Sequence, residues 1–137
     1  MRNRANGACE YCRIAEKAVL PALTSFQVEH IVPRAHFSPG SVAIDDLGNL
    51  AWSCQRCNLL KHAAVQGYDD ETGQYSRLFH PRTDVWREHF VGLPSGRIDG
   101  LTLVGRVTVK VLKLNDGEDV VTTRAEYQLL GWWPILP

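Results

Sequence analysis

Two Cys-x-x-Cys pairs, Cys9/Cys12 and Cys54/Cys57, bracket the peptide Phe26-Gln-Val-Glu29-His30-Ile-Val-Pro33. Four thiolates in two such pairs are what a closed tetrahedral Zn²⁺ site requires. A closed ring leaves no position for water, so a zinc held this way is structural. The chemistry lies between and beside the pairs. An imidazole, His30, is the side chain suited to deprotonating a water near neutral pH. Glu29 and Asn58 offer hard oxygen donors of the kind that suit Mg²⁺ or Mn²⁺. Two disulfides are the competing use of the cysteines. Nothing near the N-terminus resembles an apolar leader, so a reducing, cytoplasmic setting and metal binding are expected.

Short elements must position these groups. Residues 9–13 read as a zinc knuckle, and 14–24 are weakly patterned and read mostly as loop. Phe26-Gln27-Val28 alternates, so it predicts a strand entering Glu29-His30, ended by Pro33. Pro39-Gly40 and Asp45-Asp46…Gly48 mark residues 34–48 as loop. Leu50-Ala51-Trp52 predicts a second strand antiparallel to the first. Ser53 is the expected cap of a helix from about Cys54 to Val65, with Gly67 as its stop. Beyond it, 68–82 is turn-rich, and 86–101 has a hairpin pattern around Pro94-Ser95-Gly96. Thr102 is placed to cap a helix over 103–114, whose Leu103, Val104, Val107, Val111 and Leu114 fall at helical spacing. Its Val and Thr content leaves strand as the alternative. Asp116 is the expected cap of a last helix over 117–130, ended by Gly131.

Taken in order, Cys9-x-x-Cys12, Glu29-His30-Ile-Val-Pro33, Asn49-Leu50 and Cys54-x-x-Cys57-Asn58-x-x-Lys61 resemble the HNH endonucleases, the ββα-metal or His-Me finger nucleases. The resemblance covers about residues 9–62 and extends loosely into the tail. There Leu78-Phe79-His80-Pro81-Arg82, Trp86…His89-Phe90, Gly100-Leu-Thr102, Gly105-Arg106 and Gly131-Trp132 are similar to a bacterial subfamily common in cyanobacteria. It implies an α+β fold: a ββα-metal core stapled by a four-cysteine zinc site over 1–67, then a hairpin-plus-helices extension over 68–137 packed on it as one compact domain.

The resemblance also implies roles. His30 would be the general base, and Glu29 with Asn58 would hold one Mg²⁺ or Mn²⁺. Neighbouring strand residues point to opposite faces, so this pairing requires the backbone to bend at Glu29-His30. The family more often has Asp at position 29, and Glu29 reaches one methylene further. Asn49 resembles the middle Asn of the motif, and its expected work is to hold the loop or His30 by hydrogen bonds. Asn58 has helix capping as its alternative. Arg34, Arg56, Lys61 and His62 are candidate phosphate contacts, with a solvated helix face as the alternative for Arg56 and no role as that for His62. His36 is a candidate backbone contact. Gly often follows the first Cys pair in the family; here it is Arg13.

The remaining histidines, His80 and His89, sit among aromatics and read as structural. Trp86, Phe90, Trp132 and Trp133 have base stacking as an option and core packing as the stronger one. Net charge is zero over 137 residues, without the basic excess of a strong nonspecific nucleic-acid binder. Residues 1–68 hold seven Lys/Arg against five Asp/Glu (+2), and 69–137 hold eight against ten (−2). No apolar run approaches the roughly 18 residues of a membrane span. The reading is a hydrolase of DNA phosphodiesters, acting on double-stranded DNA with low sequence specificity. A duplex cut needs two visits, a dimer or a larger host complex. The alternative is a catalytically inactive zinc-ribbon module that binds nucleic acid or a partner.

Overall fold

The structure, a computed structural model, describes residues 1–18 and 25–137. The expected loop over 19–24 lies outside the described residues. Strand β1 (Phe26–His30) and strand β2 (Leu50–Cys54) form an antiparallel pair in unbroken register, from Phe26 opposite Cys54 to His30 opposite Leu50. Helix α1 (Gln55–Lys61) follows β2 directly. This is the ββα core. Between the strands the chain takes three short 3-10 turns, Arg34–His36, Val42–Asp45 and Leu47–Asn49, in place of a shapeless loop.

Helix α1 is shorter than its sequence suggests, and its cap is Cys54 rather than Ser53. The Cys54 sulfur accepts from the Cys57 amide at 3.5 Å, so it satisfies a free helix N–H. The helix ends where His62 turns to φ 46°. Gly67 is not its stop. It lies in strand β3 (Gln66–Asp69), where a Cβ would collide with Val107 and Val111. Glycine lets the hairpin approach a helix closely.

The turn-rich segment is itself a hairpin, β3 paired with β4 (Gln74–Arg77). Asp69 accepts from the Thr72 amide and hydroxyl to shape its turn. Residues Trp86–His89 form a short helix, α2, so the second hairpin shrinks to β5 (Phe90–Gly92) and β6 (Ile98–Gly100). Helix α3 (Leu103–Val111) is capped by Thr102, whose hydroxyl accepts from Gly105 N. Its period wins over the β-propensity of Val and Thr because one apolar face meets the core. The N-cap of α4 (Glu118–Leu129) is Gly117, with no side-chain cap, rather than Asp116. Its C-terminus is a Schellman motif: Gly131 (φ 68°) donates to Gln128 O, and Trp132 donates to Tyr127 O. Among the described residues no helix is long and apolar enough to cross a membrane.

One apolar core joins the two halves. Tyr11, Ile31 and Ala51 cluster with Phe79, Trp86, Phe90, Ile98, Val107, Leu112, Leu114 and Trp133. Polar ties cross the same boundary. Trp86 Nε1 donates to Tyr11 O and Trp133 Nε1 to Cys12 O, each at 2.8 Å. Arg82 pairs with Glu10, and Arg56 donates to the carbonyls of Lys113 and Asp116. Within the extension, the Thr108 hydroxyl accepts from the buried Phe79 amide at 2.8 Å and donates to Val104 O. Thr108→Val keeps the volume but strands that amide. The expected loss is about 1–3 kcal/mol, read as a lower urea midpoint at unchanged slope.

Candidate active site and zinc centre

The zinc knuckle folds because Cys9 N donates to Ile14 O and Arg13 N donates back to Cys9 O. Arg13 holds the left-handed conformation, φ 60°, which costs an L side chain what glycine adopts freely. The Sγ atoms of Cys9, Cys12, Cys54 and Cys57 are all buried and lie within 4.8 Å of one another. A tetrahedral Zn²⁺ with sulfurs at about 2.3 Å needs them about 3.8 Å apart; Cys12 and Cys54 stand at 3.9 Å. Burial acts to raise the Cys9 thiol. Hydrogen bonds from Cys12, Cys54 and Cys57 overcome it and hold that thiol well below its ordinary value. Contact with Cys12 first pushes Cys54 and Cys57 well above theirs; Cys9 and burial add to it, while Cys57 opposes the rise at Cys54. Four buried sulfurs at this spacing are a donor set that fits a divalent soft-binding ion.

The two chemical residues of β1 point opposite ways. The register through Glu29↔Ala51 and His30↔Leu50 is continuous, and the bend expected there is absent. Glu29 turns inward and is 3% exposed. Lys61 Nζ lies 2.5 Å from its Oε1 and also donates to His30 O, while the Tyr11 hydroxyl donates to its Oε2 at 2.6 Å. Burial pushes the Glu29 carboxyl up, with Lys61 and then Tyr11 opposing it. Burial, and then the Glu29 charge, push Tyr11 well above the usual phenol value, which keeps it a donor.

Two expectations change as a result. Lys61 is 1% exposed and cannot reach a phosphate, because Cys57 and Lys61 share the inward face of α1 four residues apart. The Glu29 carboxylate, expected to share a Mg²⁺ or Mn²⁺ with Asn58, has both oxygens engaged in this arrangement, Oε1 by Lys61 and Oε2 by Tyr11. Arg56 is also committed elsewhere, to the carbonyls that end α3 and precede α4.

His30 faces outward at the end of β1, its side chain 24% exposed. Its Nε2 is 2.8 Å from Asp45 Oδ1, and Arg34 donates to the same oxygen at 2.9 Å. Asn49 is buried. Its Oδ1 accepts from Val32 N, and its Nδ2 donates to Val32 O and Ile44 O. One amide therefore ties the strand end carrying His30 to the turn carrying Asp45. The His36 ring contacts Ala63 O at 3.2 Å, closing the loop over the end of α1. Asn58 is half-buried and its side chain makes no hydrogen bond among the described residues; His62 is exposed.

Away from this site, burial lowers the affinity of His80 for a proton, and its Nδ1 accepts from Arg82 N. His89 bonds the Thr102 hydroxyl. Trp86, Phe90 and Trp133 are buried, which removes them from base stacking.

Tyr11 and Asp45 were not singled out by the sequence. Tyr11 sits inside the first Cys-x-x-Cys, which places it beside the cluster, but nothing local marks its partner. Asp45 belongs to an Asp-Asp pair that reads as turn chemistry, and Asp46 does that work by accepting from Gly48 N.

Removal of the metal from purified protein by a strong chelator at neutral pH is expected to abolish the near-UV circular dichroism of the core. Zinc coupling of about 10–16 kcal/mol is as large as the whole stability of about 5–15 kcal/mol of a domain this size. Lys61→Met leaves Glu29 buried without its cation and is expected to cost about 3–5 kcal/mol. Adding Glu29→Gln should recover most of it. If Lys61→Met left the denaturant midpoint in place, the buried pair would not be the constraint described.

Residues 9–64 match the family model described as HNH endonuclease. No curated protein and no solved structure matches the chain. The matched span begins at the first zinc-site cysteine and contains β1, β2, α1 and the loop held by Asn49. On that match and this geometry, residues 9–64 form an HNH domain, an α+β ββα core whose four cysteines cluster like a zinc site.

Proposed function

We propose that the protein hydrolyses phosphodiester bonds of DNA, with His30 as the general base. The observation that carries this reading is the placing of His30. It stands at the edge of the ββα core with one ring nitrogen held by Asp45 and the ring partly open to solvent. A water beside the open nitrogen gives up its proton as its oxygen attacks phosphorus, and the 3′-oxygen leaves. The Asn49 clamp keeps strand and loop at fixed separation while this happens. Arg34, exposed and hydrogen-bonded to the same carboxylate as His30, is the nearby cation placed to receive a phosphate. No step is assigned to a divalent ion, because the Glu29 carboxylate is closed by Lys61 and Tyr11.

With no excess of positive charge, affinity comes from local contacts, and the substrate is double-stranded DNA cut with low sequence specificity. One site per chain makes nicking the first product. The extension over 68–137, sharing its core with residues 9–64, acts as a clamp on the nuclease core. The buried Glu29–Lys61 pair favours a second reading, a zinc-stapled binding module without catalysis.

Supercoiled plasmid incubated with zinc-loaded protein, with Mg²⁺, with Mn²⁺ and with neither, separates the two. His30→Ala shown to retain its zinc runs alongside. The expected result is nicking by the wild type and a rate lower by about 10²–10⁴-fold in the variant. Folded, zinc-loaded wild type that leaves the plasmid intact in every condition would make the binding module the correct reading.

A further inference from the structure

We propose that Asp45 is a positioning residue of the reaction: its carboxylate holds His30 in the tautomer that leaves the lone pair on Nδ1, and so makes Nδ1 the atom that takes the proton from water. The proposal rests on the nuclease reading above and names a residue that the sequence reads as loop.

The argument starts from donors and acceptors. An ionised carboxylate has no proton to give, so an imidazole nitrogen 2.8 Å from Asp45 Oδ1 must be the donor. That nitrogen is Nε2. In neutral imidazole the other nitrogen, Nδ1, then carries the lone pair. Without the carboxylate the two tautomers interconvert, and part of the population presents the wrong nitrogen to the water. Asp45 stays ionised where it stands. The hydrogen bond with His30, and then the Arg34 guanidinium, hold its carboxyl below the usual range.

The backbone brings the pair together. Asp45 ends the Val42–Asp45 turn, and the carbonyl of the preceding residue, Ile44, is bonded by Asn49 Nδ2 at 2.9 Å. The same Asn49 side chain holds both polar groups of Val32, two residues beyond His30. Asn49 O also accepts from Ile31 N at 2.8 Å. His30 and Asp45, fifteen residues apart, are thus brought to hydrogen-bond distance by one buried amide. Asp45 itself is 67% exposed, so its charge is well screened. Its effect is therefore orientation of the ring, and an exposed pair of this kind contributes little to folding.

The step balances without further reagents. One water O–H bond breaks and its proton goes to Nδ1. The water oxygen bonds phosphorus as the bond from phosphorus to the 3′-oxygen breaks. The 3′-oxygen takes a proton from solvent, and the imidazolium returns its Nδ1 proton to solvent. Nε2–H remains on Asp45 throughout.

The test compares wild type with Asp45→Ala and Asp45→Glu as full-length, zinc-loaded proteins. Two quantities are read: steady-state cleavage of a duplex, and the ¹⁵N shifts of the His30 ring, which distinguish the tautomers in the absence of substrate. The wild type should show Nε2–H. Asp45→Ala should show mixed tautomers, a kcat lower by about ten- to a hundredfold, a KM within about twofold, and an unchanged thermal midpoint. Asp45→Glu should restore part of the kcat.

A wild-type ring protonated on Nδ1, or a kcat unchanged in Asp45→Ala, overturns the proposal. So does a rise in KM with kcat intact, which would place Asp45 in substrate binding. A wild type that cleaves nothing sinks the nuclease reading and this role with it. A wild type that cleaves, beside an Asp45→Ala that cleaves equally well, sinks the Asp45 role alone.

Discussion

The four-cysteine cluster is the constraint on which the rest of the molecule depends. A two-stranded hairpin and a seven-residue helix bury too little to hold together in water. The cluster joins the knuckle at Cys9 and Cys12 to the point where β2 becomes α1, at Cys54 and Cys57. Cys54 has three tasks at once: it ends a strand, caps a helix and offers a metal ligand. Buried thiolates carry a charge that must be compensated. Arg13 and Arg124 are both buried within Coulombic range of the cysteines. Arg124 also lies 5.4 Å from the ring centre of Trp133, whose indole N–H holds Cys12 O. The extension therefore completes the environment of the cluster rather than merely following it.

Strand β1 divides two kinds of charge. Its inward face carries Glu29, paired with Lys61 and closed by Tyr11. Its outward face carries His30, paired with the exposed Asp45. The inward pair is expensive to desolvate and cannot be broken on one side cheaply. What it does is lock α1 against β1 at one register, because Lys61 holds both the carboxylate and the backbone oxygen of His30. The outward pair contributes little to folding and is free to serve orientation. Alternation along a strand, the simplest property of extended backbone, thus separates the residue that holds the fold from the residue that can do chemistry.

The loop between the strands has a definite shape because one buried side chain satisfies several backbone groups. Asn49 bonds Val32 twice and Ile44 once. A buried amide with its oxygen and both its hydrogens engaged fixes the chain on each side of it, and three short 3-10 turns follow from that and from the Asp46 cap. The His36 ring over Ala63 O ties the start of this loop to the end of the helix.

The cysteine pairs, the order strand–strand–helix, the Thr102 cap and the Gly131 stop were all legible from residue types and spacing. Each depends on interactions within a few residues, or on a ligand count that needs no geometry beyond the pairs. The length of α1, the β3–β4 hairpin and the role of Gly67 were not. The hairpin and Gly67 follow from α3 lying against β3, a contact between segments far apart in the chain, and α1 ends at the left-handed turn of His62, which no local signal marks. The partners of the charged residues were least legible of all. Adjacent letters, Glu29-His30, suggest a shared site, yet an unbroken register sends them to opposite faces. Lys61 on a helix reads as a surface cation until packing turns its face inward. Asp45 reads as a turn residue until Asn49 brings its turn to His30. Sequence alone determined which groups are present and which local structures they favour. Which charges meet, and which are buried when they do, was decided by the tertiary structure, because desolvation depends on every element packed around a group and not on its neighbours in the chain.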